Sequence, residues 1–370
     1  MRHLFSNPFS RRSPSSSSAA TKAASLAFFA TVLIAGCATQ NTRPSSEPIV
    51  HRPDESISVD KVQVEALAFS STEAFGLSDE FAFVDGKTGA SLTFEEVLAR
   101  AEKTQAFLIG ESHDQRSHHR LQASLLRGLA RKNRPVLLGM EMVDTSRQEV
   151  LDSFNEGKLD EDTLEAALEW EESWGHDYNA YKSIFLAARE EKVPLFALNV
   201  PRDWVRLVSK TPLEKLSQQE REMLPTMDLS DPLHRRGIIE FFEKHHPKTG
   251  RKNAVDGFYR VQVLWDDGMA ENAFRLLSYR NPEDASTSTN EGQALLVGIA
   301  GSGHLSQYRA IPDRLARRLG ASTAQADKVL TLVPLMVDDD EDPLQVAKEA
   351  VANREADVLA ILKPRKLLSL

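Results

Sequence analysis

Cysteine is nearly absent: Cys37 is the only one in the 370-residue chain. No internal disulfide can form, and no zinc site of several thiolates can be built. The HExxH spacing that sets two metal-binding histidines on one helix face is also missing. No apolar run is long enough to span a bilayer comfortably as a permanent helix. Neither charge sign dominates strongly. The formal net charge is −9, and the acids are spread out apart from Asp338 to Glu341, so nothing in the balance points to nucleic acid as a partner.

The lone cysteine has a context. Residues 1–22 carry Arg2, Arg11, Arg12 and Lys22 and no acid, and residues 23–36 are apolar. A basic stretch followed by a short apolar one reads as an export signal. It ends in Leu33-Ile34-Ala35-Gly36-Cys37, with small residues before the cysteine. That ending resembles the lipobox of bacterial lipoproteins, which implies cleavage before Cys37 and lipidation of its thiol. A Cys nucleophile in the mature domain would then be excluded. The expected organisation is a signal peptide over 1–36 and a lipidated, polar tether over 37–65. Ala38 is not acidic, which favours the outer membrane of a bacterial envelope as the destination.

The rest of the chain alternates short apolar runs with helical patterns. Strands are expected at 105–110, 135–140, 193–199, 294–300 and 329–336, with an edge strand at 357–362. Nearly all-apolar strands suit a sheet covered on both faces. Helical stripes recur between them: Leu121, Leu125 and Leu129; Tyr181, Ile184, Phe185 and Ala188; Phe258, Val261, Trp265 and Met269. The predicted fold is therefore α/β, a mostly parallel central sheet with helices on both faces. Its two parts are 66–202 and 254–370. Residues 203–253 hold no strand candidate and are expected to form a small inserted helical subdomain or lid. Residues 280–292 read as a surface loop.

Three strand ends carry the polar residues of interest. The first runs into Gly110-Glu111-Ser112-His113, the second into Gly139-Met140-Glu141-Met142 and the fourth into Gly301-Ser302-Gly303-His304. Ser112 with Gln115, and Thr145 with Gln148, fit capping boxes that would open helices at once. In open α/β sheets ligands sit at the carboxyl ends of the strands. Glu111, His113, Glu141 and His304 should then share one rim. A carboxylate inside an apolar run such as LLGMEM needs a partner. Two chemistries suit this set. His113, Glu141 and His304 could hold a divalent cation, with a Glu as general base, or the residues could act without metal as Glu–His acid/base pairs of a hydrolase. Asn199 and Arg202 follow the third strand, and Arg202 could bind a carboxylate. Asp266 could orient a rim histidine, and Gln262 shares its helix face. His245-His246 could bind haem or a metal, but reads first as a solvated basic patch.

The strings LIGESHD (108–114), LLGMEM (137–142), FALNVPR (196–202), VQVLWDDGMA (261–270) and GIAGSGHL (298–305) together resemble the ChaN-like family of haem-binding bacterial lipoproteins. They span roughly residues 100–320. That family is similar to the erythromycin-esterase-like and TIKI superfamily, so the resemblance keeps a metal-dependent or Glu/His-dependent esterase or peptidase as the alternative. It implies haem as cofactor, a role in haem or iron acquisition, a membrane attachment through lipid, a homodimer, and a tyrosinate on the iron with histidines near the propionates. A tyrosinate is a hard anionic donor suited to ferric iron. Tyr181, Tyr178 and Tyr308 are the candidates for that ligand, with His304 and Arg202 beside the haem. Tyr181 reads first as a core aromatic on an amphipathic helix, and Tyr308 could instead cap the loop before Ile311-Pro312.

Overall fold

The apolar runs pair as their composition demands, into one eight-stranded sheet. The computed structural model describes residues 57–69, 80–245, 252–280, 293–320 and 328–363. The export signal, Cys37, most of the tether, His246 and the loop over 281–292 lie outside the described residues. The strands are β1 (Glu80–Asp85), β2 (Ser91–Leu92), β3 (Ala106–Ile109), β4 (Val136–Asp144), β5 (Leu195–Asn199), β6 (Leu295–Ile299), β7 (Val329–Met336) and β8 (Val358–Lys363). Their order is β2-β1-β8-β7-β3-β6-β4-β5. From β8 to β5 every pairing is parallel; β1 pairs antiparallel with both β2 and β8.

Alternation along the strands sends side chains to two separate cores. Phe107, Ile109, Leu138, Met140, Val297 and Ile299 face one side. There they meet α1 (Phe94–Ala101), α2 (Arg116–Ala130), α3 (Gln148–Asn155) and α6 (Tyr178–Glu190). The short α4 (Leu164–Ala167) and α5 (Trp170–Ser173) join that layer through Leu164 and Trp170. Ala106, Leu108, Leu137, Phe196 and Leu296 face the other side. They pack on α10 (Lys252–Arg280), α11 (Ile311–Arg318) and α12 (Pro343–Ala352). Burial on both faces is why these strands read as continuous apolar runs.

Between β5 and α10 the chain forms α7 (Arg202–Lys210), α8 (Gln218–Met223) and α9 (Pro232–His245), with no strand among its described residues. Val200, Val208 and Leu264 form a small core there with Trp204, Leu213, Leu224 and Trp265 packed against it. Among the described residues no helix is long and apolar enough to cross a membrane.

Three local expectations are corrected. The run at 357–362 is not an edge strand: β8 is covered along its length by β1, from Glu80 opposite Lys363 to Asp85 opposite Val358. The hairpin that covers it was missed because Phe81, Phe83 and Val84 belong to a run with no clean alternation. Ser112 does not cap a helix. The chain turns through 113–115, and α2 starts at Arg116 with Gln115 as an N-cap that makes no side-chain bond. Thr145 is likewise not a cap. Strand β4 runs on to Asp144, whose carboxylate accepts from Ser146 N, and a 3-10 turn precedes α3.

A candidate active and binding site at the strand-end rim

Strands β3, β6 and β4 lie side by side, and their carboxyl ends bring the polar residues together. The chain leaves β3 toward α2 on one face and β6 toward α11 on the other. That divergence opens a crevice at the rim.

Glu111 sits at its floor, 2% exposed. Its Oε1 accepts from Tyr181 Oη at 2.6 Å and faces His113 Nδ1 at 2.8 Å. Its Oε2 accepts from Gln122 Nε2 at 3.1 Å, with His119 Nε2 at 3.4 Å. Burial alone would raise its pKa. The bonds from His113, His119 and Tyr181 outweigh that and hold it down at about 2. The glutamate is therefore a buried anion that accepts from Tyr181 and Gln122, faces His113 at hydrogen-bond distance, and has His119 close by. Behind it, His118 Nδ1 accepts from Ser112 N at 2.9 Å, which fixes the turn between β3 and α2. Burial and the neighbouring His119 push His118 down to about 4.

His113 stands above Glu111 with its side chain 30% exposed. Its ring lies 4.9 Å from that of Trp174, edge on, and 5.0 Å from that of His176. Burial lowers its pKa, but the Glu111 bond and the Glu141 charge give a net rise. Glu141 completes the crevice from β4: its Oε2 accepts from Gly301 N at 2.6 Å and its Oε1 lies 3.5 Å from His304 Nε2. Asn199 at the end of β5 donates to the Glu141 carbonyl at 3.0 Å. Gly301 is needed for this approach, because a Cβ there would stand 2.9 Å from His113 Cε1.

Asp266 does orient a rim histidine. His304 Nδ1 lies 2.6 Å from Asp266 Oδ1, and the aspartate is 1% exposed on α10. Burial would lower the pKa of His304, yet Glu141 and Asp266 together raise it to about 9. Asp266 in turn is held well below the usual carboxylate range by His304 and His234, against its burial.

These shifts set opposite pH limits. His304 keeps a proton in the folded state that the unfolded chain releases near pH 6.5, so its contribution is full below about 6.5 and lost as pH rises through 9. His118 is the reverse: its contribution is full above about 6.5 and lost as pH falls through 4. Stability is expected to peak near neutral pH. In thermal melts across the range, His304→Gln should flatten the alkaline limb and leave the acid limb in place.

The candidate haem tyrosines fall differently. Tyr181 is fully buried, stacked on His119 at 4.0 Å, with its hydroxyl given to Glu111. Tyr178 is 3% exposed and donates to the Glu161 carbonyl at 2.6 Å. Burial raises the pKa of both phenols, with nearby carboxylates adding to it. Tyr308 follows His304 in a 3-10 turn at the rim, and its side chain is outside the description. Arg202 is exposed and donates to the Ser173 carbonyl at 3.1 Å. Gln262 is half-buried on α10, and His245 ends α9. His113, Glu141 and His304 come together, but His113 Nδ1 is turned to Glu111, Glu141 to Gly301 N and His304 Nε2, and His304 Nδ1 to Asp266. Among the described residues no three His, Cys, Asp or Glu are grouped to hold a metal ion.

His118, His119 and Gln122 escaped sequence reading although a signal existed. They interrupt the Leu121/Leu125/Leu129 stripe of α2 with polar groups on its buried face. His176 and His234 carried no signal of their own.

No curated protein matches the chain in sequence. Among solved structures, one described as cofacial haem binding to ChaN of Campylobacter jejuni is similar at 18% identity, with a TM-score of 0.56, over 78% of this chain and 98% of that one. An erythromycin esterase mutant in its open conformation is similar at 13% identity and a TM-score of 0.38, over 66% and 72% of the two chains. A Bacillus cereus protein is similar at 10% identity and a TM-score of 0.37, over 75% and 94%. The first of these supports the fold. Residues 97–315, which contain Glu111, His113, Glu141, Asp266 and His304, match the model of the family described as haem-binding uptake, Tiki superfamily, ChaN. The chain belongs to that family.

Proposed function

We propose that this protein is a lipid-anchored haem-binding protein that serves haem or iron acquisition, with haem received at the strand-end rim. Family membership supports haem as the ligand. The observation that carries the site is the mouth formed by His113, Trp174 and His176. A partly exposed imidazole is braced from behind by a buried carboxylate and flanked by an indole edge and a second, exposed imidazole. Imidazoles can ligate ferric iron or bond a propionate, and an indole suits a macrocycle edge. Tyr178 and Tyr181 spend their hydroxyls internally, so Tyr308 is the tyrosine we assign to the iron. The basic and apolar N-terminus ending at Cys37 supports lipid attachment, Ala38 supports an outer-membrane destination, and a homodimer around the ligand is part of the same proposal.

Haemin titration tests the reading, on the chain carrying Cys37→Ser so that a free thiol cannot ligate iron. Saturable one-to-one binding with a tyrosinate-type spectrum is expected, lost in Tyr308→Phe and weakened about tenfold or more in His113→Gln. Adsorption that never saturates would end it.

A second reading is favoured by one feature, the pairing of each rim imidazole with its own carboxylate: Glu111 with His113, and Asp266 with His304 beside Glu141. Such pairs suit acid/base hydrolysis of an ester or amide. Hydrolysis abolished by Glu141→Gln, and indifferent to Tyr308→Phe, would establish it.

A further inference from the structure

Behind His304 a second histidine stands on the same aspartate. His234 is 6% exposed in the first turn of α9. That turn is fixed by Asp231, whose Oδ1 accepts from Leu233 N at 2.9 Å and His234 N at 3.1 Å. His234 Nε2 lies 3.1 Å from Asp266 Oδ2, while Asp266 Oδ1 faces His304. The contact lies off the line of a straight hydrogen bond and is one of charge and dipole. On the other side of the ring, His234 Nδ1 faces Arg314 Nη2 at 3.5 Å. A guanidinium only donates. Nδ1 is therefore the acceptor, and the ring proton belongs on Nε2, toward Asp266. Arg314 is itself 1% exposed and fixed by Asp267 Oδ2 at 3.2 Å from its Nε.

A carboxylate bonded through one oxygen can still swing about its χ2. A second, electrostatic contact on its other oxygen opposes that swing. The aspartate, the histidine and the arginine come from α10, α9 and α11, all are buried, and they stand behind the His304 ring, away from its Nε2 edge. We propose that His234 is a positioning residue: it locks Asp266, and through Asp266 the His304 ring, so the helical segment between β5 and α10 is part of the rim's machinery. The inference rests on the rim geometry and not on which ligand the rim takes. Outer partners of this kind orient the group that meets the ligand.

The test needs no ligand. In the full-length protein with 15N-labelled histidine, the His304 Nδ1–H bonded to Asp266 should give a far-downfield proton that exchanges slowly with solvent. His304→Gln identifies it. His234→Ala should speed its exchange about tenfold or broaden it away. His234→Asn, which can still face Arg314 but is too short to reach Asp266, should do the same. His234→Gln, whose amide nitrogen replaces Nε2, should restore the signal. A resonance unmoved in folded His234→Ala or His234→Asn would overturn the proposal, as would equal loss in all three variants. If the alanine variant does not fold, the asparagine and glutamine pair decides.

Discussion

Glu111→Leu is expected to destabilise the fold by about 3–5 kcal/mol and to abolish ligand binding at the rim. Leucine restores the bulk but accepts nothing. Tyr181 Oη, His113 Nδ1, Gln122 Nε2 and His119 Nε2 all converge on this carboxylate within 3.4 Å. Tyr181 Oη, His113 Nδ1 and one proton of Gln122 Nε2, whose other bond goes to the Gly110 carbonyl, would lose their acceptor or let water in, and an unsatisfied buried donor costs about 1–3 kcal/mol. Hydrophobic replacement is neutral only when both partners of a pair are removed together, and here every partner remains. Glu111→Gln should fall between, because its carbonyl oxygen can still accept from Tyr181. Wild-type Glu111 is also an acid limit. Its folded pKa of about 2 lies below the ordinary 4.5, so its contribution is present above about 4.5 and lost as pH falls toward 2. Urea unfolding at neutral pH measures the loss, and a change under about 1 kcal/mol would mean the network is not the brace described here.

Gly301→Ala should cost about 1–3 kcal/mol and shift His113 out of place. Its Cβ would meet His113 Cε1 at 2.9 Å, Nε2 at 3.1 Å and Glu141 Oε2 at 3.7 Å. The imidazole is tied to Glu111 and packed against Trp174, so it cannot swing aside freely. The neighbouring Gly303 provides the control, since nothing stands within 4 Å of a Cβ there. Gly303→Ala should be neutral to within about 0.5 kcal/mol. Chemical unfolding and ligand titration of the two variants side by side separate a steric effect from a general loss of loop freedom. Equal behaviour would contradict the close approach.

What the sequence made legible follows from how each feature is encoded. Runs such as AFLI and LLVGI are short and apolar, and each is followed within two residues by a glycine, so β3 and β6 could be read directly. The rim followed because strand ends in a parallel sheet must share an edge. The hairpin of β1 and β2 could not be read so easily: five of six β1 residues are buried, and β2 is two residues long. The helix starts misled for a different reason. Ser112 has a capping residue's chemistry, but its backbone N–H is claimed by His118, and the chain turns once more before α2 begins. Asp266 was visible as a helix-face acid, whereas His234 lies 32 positions earlier in a polar segment and is defined only by the packing of α9, α10 and α11.

Haem, as proposed, meets the mouth formed by His113, Trp174 and His176. Adding ferric haemin in small steps to 15N-histidine-labelled protein tests it most directly, because paramagnetic iron broadens the nearest nuclei first. His113 and His176 are expected to disappear before His234, whose ring stands behind Asp266. Saturable haemin binding that leaves His113 and His176 sharp would place the haem elsewhere and contradict it.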